Sequence, residues 1–255
     1  MRFISFFAGI GGIDLGLERA GHECVGQCEI DPYAIKVLEK HWPDVPRFGD
    51  ITKVKPDELP EAELWAGGFP CQDISTAGKQ RGIHGERSGL FFDFMLLAAQ
   101  VRPRFLLLEN VRALIDGAIS DVLGTLAEVG YDAEWQCIPA SAVGAHHLRD
   151  RAFILAYPRG FNVSGRGILP QNGRQDTFWQ EKAEEWGINR KFPEMGTEAL
   201  SRLGEEWKDG NSEPPIPRIY DGIPRQLDRI KGCGNAVVPQ VAEYIGRLLM
   251  EASDD

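Results

Sequence analysis

The chain has no apolar run approaching the roughly 20 residues that a membrane-spanning helix needs, which excludes an integral helical membrane protein. Its N-terminus, Met1-Arg2-Phe3-Ile4-Ser5, passes straight into an apolar segment without the layout of a signal peptide, so the expected location is the cytoplasm. Cysteine is sparse: Cys24, Cys28, Cys71, Cys137 and Cys233 are odd in number, scattered and without zinc-finger spacing. Neither a disulfide framework nor a metal site is expected, and reduced thiols are the default. Basic charge is also short, with 28 Lys and Arg against 38 Asp and Glu and a net charge of -10. That balance counts against a simple phosphate-clamping nucleic-acid binder, although basic residues gathered on one face would escape a net count.

What is present is a regular alternation. Residues 2–7 form an apolar run, followed by the turn Ala8-Gly9-Ile10-Gly11-Gly12 and an amphipathic stretch to Ala20, which reads as strand, turn and helix. A second run spans residues 23–30, and Asp31-Pro32 then supplies an N-cap and a first-turn proline for a helix through His41. Further strands are expected at 63–67, 105–110, 135–139 and 152–157, with helices at 89–101 and 119–129. This order predicts an α/β doubly wound, Rossmann-like sheet with ligands at the carboxyl ends of its strands. The pattern breaks at Pro158, where a stretch to about Pro217 is rich in glycine, proline and polar residues. It reads as a small irregular domain, with a long, partly disordered insert as the alternative. Regularity returns with Val238, Val241, Ala242, Ile245, Leu248 and Leu249 along one face of a closing helix.

Two segments carry chemistry. In Trp65-Ala66-Gly67-Gly68-Phe69-Pro70-Cys71-Gln72 a cysteine follows a proline where a buried strand gives way to a loop, a place for a nucleophile as well as for a packed thiol. In the first turn, Gly9, Gly11 and Gly12 let backbone pass close to a ligand, and Glu29 at the end of the next strand can accept ribose hydroxyls. Asp14 stands where a dinucleotide fingerprint has its last glycine, which favours a nucleoside cofactor over NAD. A turn needed only for helix-strand packing would use the same glycines.

Taken together, these segments resemble the DNA cytosine-5 methyltransferase family, of the bacterial or phage type, over residues 3–157 and 228–246. Phe7-Ala8-Gly9-Ile10-Gly11-Gly12 is similar to its S-adenosylmethionine loop and Gly68-Phe69-Pro70-Cys71-Gln72 to its nucleophile motif. Glu109-Asn110-Val111 is similar to its acid motif, Arg149-Asp150-Arg151 to its paired arginines, and Gly234-Asn235-Ala236-Val237-Val238-Pro239 to its C-terminal motif. Five motifs in the family's order leave no room for coincidence.

The resemblance implies a division of labour. C5 of cytosine is too weak a nucleophile to attack a methyl sulfonium, so the Cys71 thiolate adds at C6, helped by Glu109 at N3. Arg151 would hold the base through O2, with Arg149 in the same cluster and Pro70 and Asn110 completing the catalytic set. The cofactor set is Phe7, Ala8, Gly9, Ile10, Gly11, Gly12, Glu29, Ile30, Asp50, Ile51, Gly68, Pro70, Leu90, Asn235 and Val237, with Asp50 facing the adenine amino group. Residues 73–88 match a mobile loop that closes over a flipped base in double-stranded DNA, with Gln72, Ser75, Lys79, Gln80 and Arg81 as DNA contacts.

Residues 1–157 and 222–255 would then form the catalytic domain, and 158–221 the target-recognition insert. The implied setting is the cytoplasm of a bacterial host, as a monomer, with a cognate restriction endonuclease as a candidate partner. Two departures stand out. His146 and His147 replace the residues usual before the paired arginines, and the segment 219–229 stands where a conserved family segment is expected. Methylation of RNA, a silent DNA-binding module and a small-molecule methyltransferase are the rival readings. The last of these needs neither the Pro-Cys motif nor the insert.

Overall fold

The computed structural model describes residues 1–70, 89–144, 149–161, 167–169, 181–188 and 236–253. Elements follow in the order β1 (Arg2–Phe6), α1 (Gly12–Arg19), β2 (Glu23–Cys28), α2 (Pro32–His41), β3 (Arg47–Phe48), β4 (Leu64–Gly68), α3 (Leu90–Val101), β5 (Phe105–Val111), α4 (Ala113–Gly117), α5 (Ile119–Glu128), β6 (Tyr131–Pro139), β7 (Asp150–Pro158) and α6 (Pro239–Ser253). The strands form one seven-stranded sheet in the order β3-β2-β1-β4-β5-β7-β6. Pairings from β3 through β5 are parallel, and β7 runs antiparallel to both neighbours. The expected α/β doubly wound sheet is therefore present, with one reversed strand near an edge.

Both faces of the sheet are covered, which is why its central strands are apolar throughout. Side chains alternate across β5: Phe105 and Leu107 face one layer, Leu106 and Leu108 the other. The first layer includes Ile13 and Leu17 of α1 with Val241, Ile245 and Leu249 of α6, and the second includes Phe91 and Phe94 of α3 with Val122 and Leu126 of α5. Each such side chain contributes about 1.5–3 kcal/mol when fully buried. Helices α1 and α6 pack closely because Gly16 and Gly246 carry no Cβ: one at Gly16 would overlap the Pro239 carbonyl, and one at Gly246 would stand 2.7 Å from Ala20 Cβ. As expected, Asp31 caps α2, accepting from the amides of Tyr33 at 2.9 Å and Ala34 at 3.1 Å, with Pro32 in its first turn.

The strands extend beyond their apolar runs. β7 begins at Asp150, two residues earlier than the apolar run indicates, because Arg151 pairs with Val111 of β5 and Ile138 of β6. The chain beyond Tyr157 also returns to the core. Ile168, Leu169, Ala183 and Ile188 are buried in the α1/α6 layer. The Glu134 carboxylate of β6 accepts the amides of Ile168 at 2.8 Å and Leu169 at 3.0 Å. Trp186 lies 5.1 Å from the Tyr244 ring of α6. These residues fall inside the range assigned to the insert, yet they pack as part of the main body.

Candidate active site

The carboxyl ends of β4 and β5 meet at the centre of the sheet, where a parallel sheet places its ligands. In register, Gly68 of β4 lies beside Glu109 of β5. Beyond Gly68 the chain continues through Phe69 and Pro70 to Cys71. The Asn110 side chain donates to the Phe69 carbonyl at 3.2 Å and accepts from the Val111 amide at 2.8 Å. Asn110 thus pins the strand exit that leads to the cysteine.

Glu109 is 7% exposed. Burial pushes its carboxyl up to about 7, against the opposing pull of Arg151 and Arg149. Arg151, delivered by β7, places Nε 3.0 Å from Glu109 Oε1 and donates Nη1 to the Asp150 carbonyl at 2.9 Å. Arg149 is half-buried, and its guanidinium is lowered by burial and by Arg151, with Glu109 acting the other way. Asp150 turns away to meet Arg112 at 2.6 Å. A carboxyl that is half protonated near neutrality, fixed at one oxygen by an arginine, can donate a proton at the other while the arginine supplies a positive field.

The glycine loop adjoins this centre. Phe7 and Gly9 both have left-handed backbones, at φ 53° and 55°, and for the non-glycine Phe7 this is local strain at a loop. The Gly9 amide donates to Glu29 Oε2 at 2.7 Å, and the amides of Ile30 and Asp31 both donate to Oε1 at 2.8 Å. Two donors fill Oε1, whereas Oε2 keeps a lone pair for a further hydroxyl. Ile30 beside it is 64% exposed, an apolar surface suited to a flat base. Gly9 has open space where a Cβ would stand, but Gly11 and Gly12 do not: a side chain would overlap Trp42 in one case and the Val237 carbonyl in the other. The loop therefore serves packing at two of its glycines and leaves room for a ligand at the third.

The remaining expected residues divide clearly. Val237 is buried, with its carbonyl against Gly12. Leu90 begins α3 and is half-buried. Ile51 has its side chain in the core, so it offers a ligand only its backbone. Asp50 caps the turn at 51–53, accepting from the Thr52 amide at 3.1 Å and hydroxyl at 2.8 Å, with Lys53 at 3.4 Å; these hydrogen bonds hold its carboxyl below the usual range. A cleft of about 740 Å³ brings Ile10, Gly11, Gly12 and Val237 together with Trp42 and Arg149, and Glu29, Ile30 and Asp50 do not line it. Cys71, Gln72, Ser75, Lys79, Gln80, Arg81, His146, His147 and Asn235 lie outside the described residues. Sequence reasoning passed over the buried network of Ser5, Asp14, Cys24 and Gln27 beneath the loop. Its one signal was the acid at a fingerprint glycine position.

The sequence profile of the C-5 cytosine-specific DNA methylases matches residues 1–212. The chain belongs to this family. Among the relatives it is similar to is the type II methyltransferase M2.BsuMI of Bacillus subtilis, 40% identical over 164 residues, covering 61% of the present chain and 42% of the relative. M.HhaI of Haemophilus parahaemolyticus is 34% identical over 237 residues, covering 86% of this chain and 71% of that one. The chain thus spans less than half of the first relative and more of the second.

The fold is shared with a protein described as a DNA modification methyltransferase encoded within an E. coli prophage, at TM-score 0.69 and 20% identity with both chains covered in full. It is shared also with Spodoptera frugiperda DNMT2, at TM-score 0.56 and 18% identity, covering 68% of this chain and 53% of that chain.

Proposed function

We propose that the protein is a DNA (cytosine-5-)-methyltransferase acting on a cytosine flipped out of double-stranded DNA. The observation that carries this reading is the Glu109 carboxyl, raised to about 7 and held 3.0 Å from Arg151 beside the strand exit that leads to Pro70 and Cys71. A protonated Glu109 donates to N3 of the base, making C6 electrophilic enough for the Cys71 thiolate to add. Arg151 steadies the carboxyl and the O2 side of the ring, and Arg149 adds positive field. The added thiolate turns C5 into an enamine carbon that takes the methyl group. Loss of the C5 proton then expels the thiolate and restores the aromatic ring.

S-adenosylmethionine, when bound, supplies the electrophilic methyl sulfonium. The residues present fit it: Glu29 Oε2 retains an acceptor site for a ribose hydroxyl, Ile30 offers an apolar face, and Gly9 leaves space for close approach. Asp50, Leu90, Asn235 and Val237 complete the proposed cofactor set, and Gln72, Ser75, Lys79, Gln80 and Arg81 the proposed DNA contacts. Because Ile168, Leu169, Ala183 and Ile188 pack in the core, sequence recognition is assigned to the part of the 158–221 insert beyond Ile188. A monomeric enzyme of the bacterial cytoplasm, paired with a cognate restriction endonuclease, belongs to the same reading.

Bisulfite sequencing of DNA from cells expressing the protein tests the proposal, because it reports base and context together. Methylated cytosines in one short sequence, absent from a Cys71→Ser control, are expected. Unmodified DNA accompanied by modified RNA would move the substrate to RNA, and modification of neither would contradict the reading.

A further inference from the structure

Asp14 belongs to none of the matched motifs, yet it is fully buried and surrounded by donors. Its carboxylate accepts from Ser5 Oγ of β1 at 3.0 Å, from Gln27 Nε2 of β2 at 2.8 Å and from Cys24 Sγ of β2 at 3.6 Å. Ser5 and Gln27 are register partners on adjacent parallel strands, so one side chain on α1 straddles a single rung of the sheet. Three donors and no acceptor suit the ionised form, and the first turn of α1 adds the positive end of a helix. Burial works the other way, raising the carboxyl above its ordinary value.

The place of this rung in the chain gives it a task. Ser5 precedes Phe7 by two residues, Asp14 follows Gly12 by two, and Gln27 precedes Glu29 by two. Both ends of the glycine loop and the strand carrying the ribose-facing carboxylate are therefore tied to one point below the loop. Above that point, among the described residues, two bonds join loop to strand, the Gly9 amide to Glu29 at 2.7 Å and the Ala8 amide to the Cys28 carbonyl at 3.2 Å. The lower tie fixes how far apart the loop and Glu29 stand.

We propose that Asp14 is a positioning residue for S-adenosylmethionine, setting the loop-to-Glu29 separation through Ser5 and Gln27 without touching the cofactor. This rests on the cofactor reading above. An acid kept only for stability would, when replaced by an amide, cost folding free energy without changing ligand affinity, because its buried donors lose an acceptor while the loop stays in place.

The test compares Asp14→Asn and Ser5→Ala with wild type. Calorimetry gives the Kd for S-adenosylmethionine, hydrogen exchange follows the amides of residues 8–12 without ligand, and kcat is measured at saturating cofactor. Asp14→Asn is expected to weaken binding by about tenfold and Ser5→Ala by about threefold, as a lost hydrogen bond to a charged group implies. Exchange in the loop should quicken in the unliganded protein, and kcat should stay within about twofold, because Glu109 and Cys71 are untouched. Equal affinities in folded variants would overturn the role of Asp14 while leaving the cofactor reading standing. A wild type that binds no S-adenosylmethionine would overturn both. If Asp14→Asn does not fold, Ser5→Ala decides, and unchanged affinity there counts against the proposal.

Discussion

Gly68 and Glu109 stand side by side on adjacent strands, and a Cβ at residue 68 would lie 2.7 Å from Glu109 Oε2. The glycine of the Gly-Phe-Pro-Cys segment thus leaves room for the acid across the sheet. Gly68→Ala should leave the fold intact, because the atom that must yield is the end of a side chain. It should nevertheless lower kcat by about 100-fold, the scale of a displacement of about 1 Å at a reacting group. A thermal melt alongside single-turnover kinetics checks this, and a folded variant with wild-type turnover would contradict the arrangement.

Protonated Glu109 is the active form in the proposed chemistry, and with a carboxyl near 7 its fraction falls as pH rises further. Glu109→Gln should reduce kcat/KM by about 100-fold or more at neutral pH, since general-acid groups contribute about 10²–10⁴. The ratio of variant to wild type should climb above pH 7, because only the wild type titrates there, and any titration of Cys71 cancels between them. A flat ratio would remove Glu109 from the proton transfer.

The same shift bears on stability. A carboxyl at 4.5 in the unfolded chain and about 7 in the fold binds more protons when folded between these values, so stability falls as pH rises through that window. Glu109→Gln should flatten this fall and gain relative stability at the alkaline end, by at most about 3 kcal/mol. Urea melts at several pH values measure it, with an unchanged slope as the adverse result.

At the loop, Glu29 holds three backbone amides and faces outward with one remaining acceptor site. Glu29→Ala should weaken S-adenosylmethionine binding by about 1–3 kcal/mol. Unaltered affinity in calorimetry, with the fold preserved, would detach Glu29 from the cofactor.

Much of this architecture was legible in the residues. Asp31-Pro32 marked α2, the run ending in Glu109 marked β5 and the acid at its tip, and the alternation of strand and helix marked the sheet. Arg149 and Arg151 were singled out, but the apolar run beginning at Ala152 hid the fact that Arg151 lies within β7. Its backbone is held by two neighbouring strands that local pattern cannot reveal. Ile168, Leu169, Ala183 and Ile188 lacked a period because they pack singly against α6 and its surroundings instead of forming one long face. The role of Gly12 was half visible: the loop signalled a ligand, while the Val237 carbonyl that forbids a side chain there lies 225 residues further on.

The central claim is that Cys71 adds to C6 of the target cytosine, and a fluorinated substrate tests it most directly. The C5 hydrogen must leave as a proton before the thiolate can depart, and fluorine cannot, so the covalent species should persist. Incubating the protein with S-adenosylmethionine and a duplex carrying 5-fluorocytosine at its target should give a denaturant-resistant protein-DNA complex. Mass spectrometry should place the nucleotide on the peptide containing Cys71, and Cys71→Ser should abolish it. Methylation of ordinary cytosine without any such complex, or an adduct mapped to Cys24, Cys28, Cys137 or Cys233, would contradict the account.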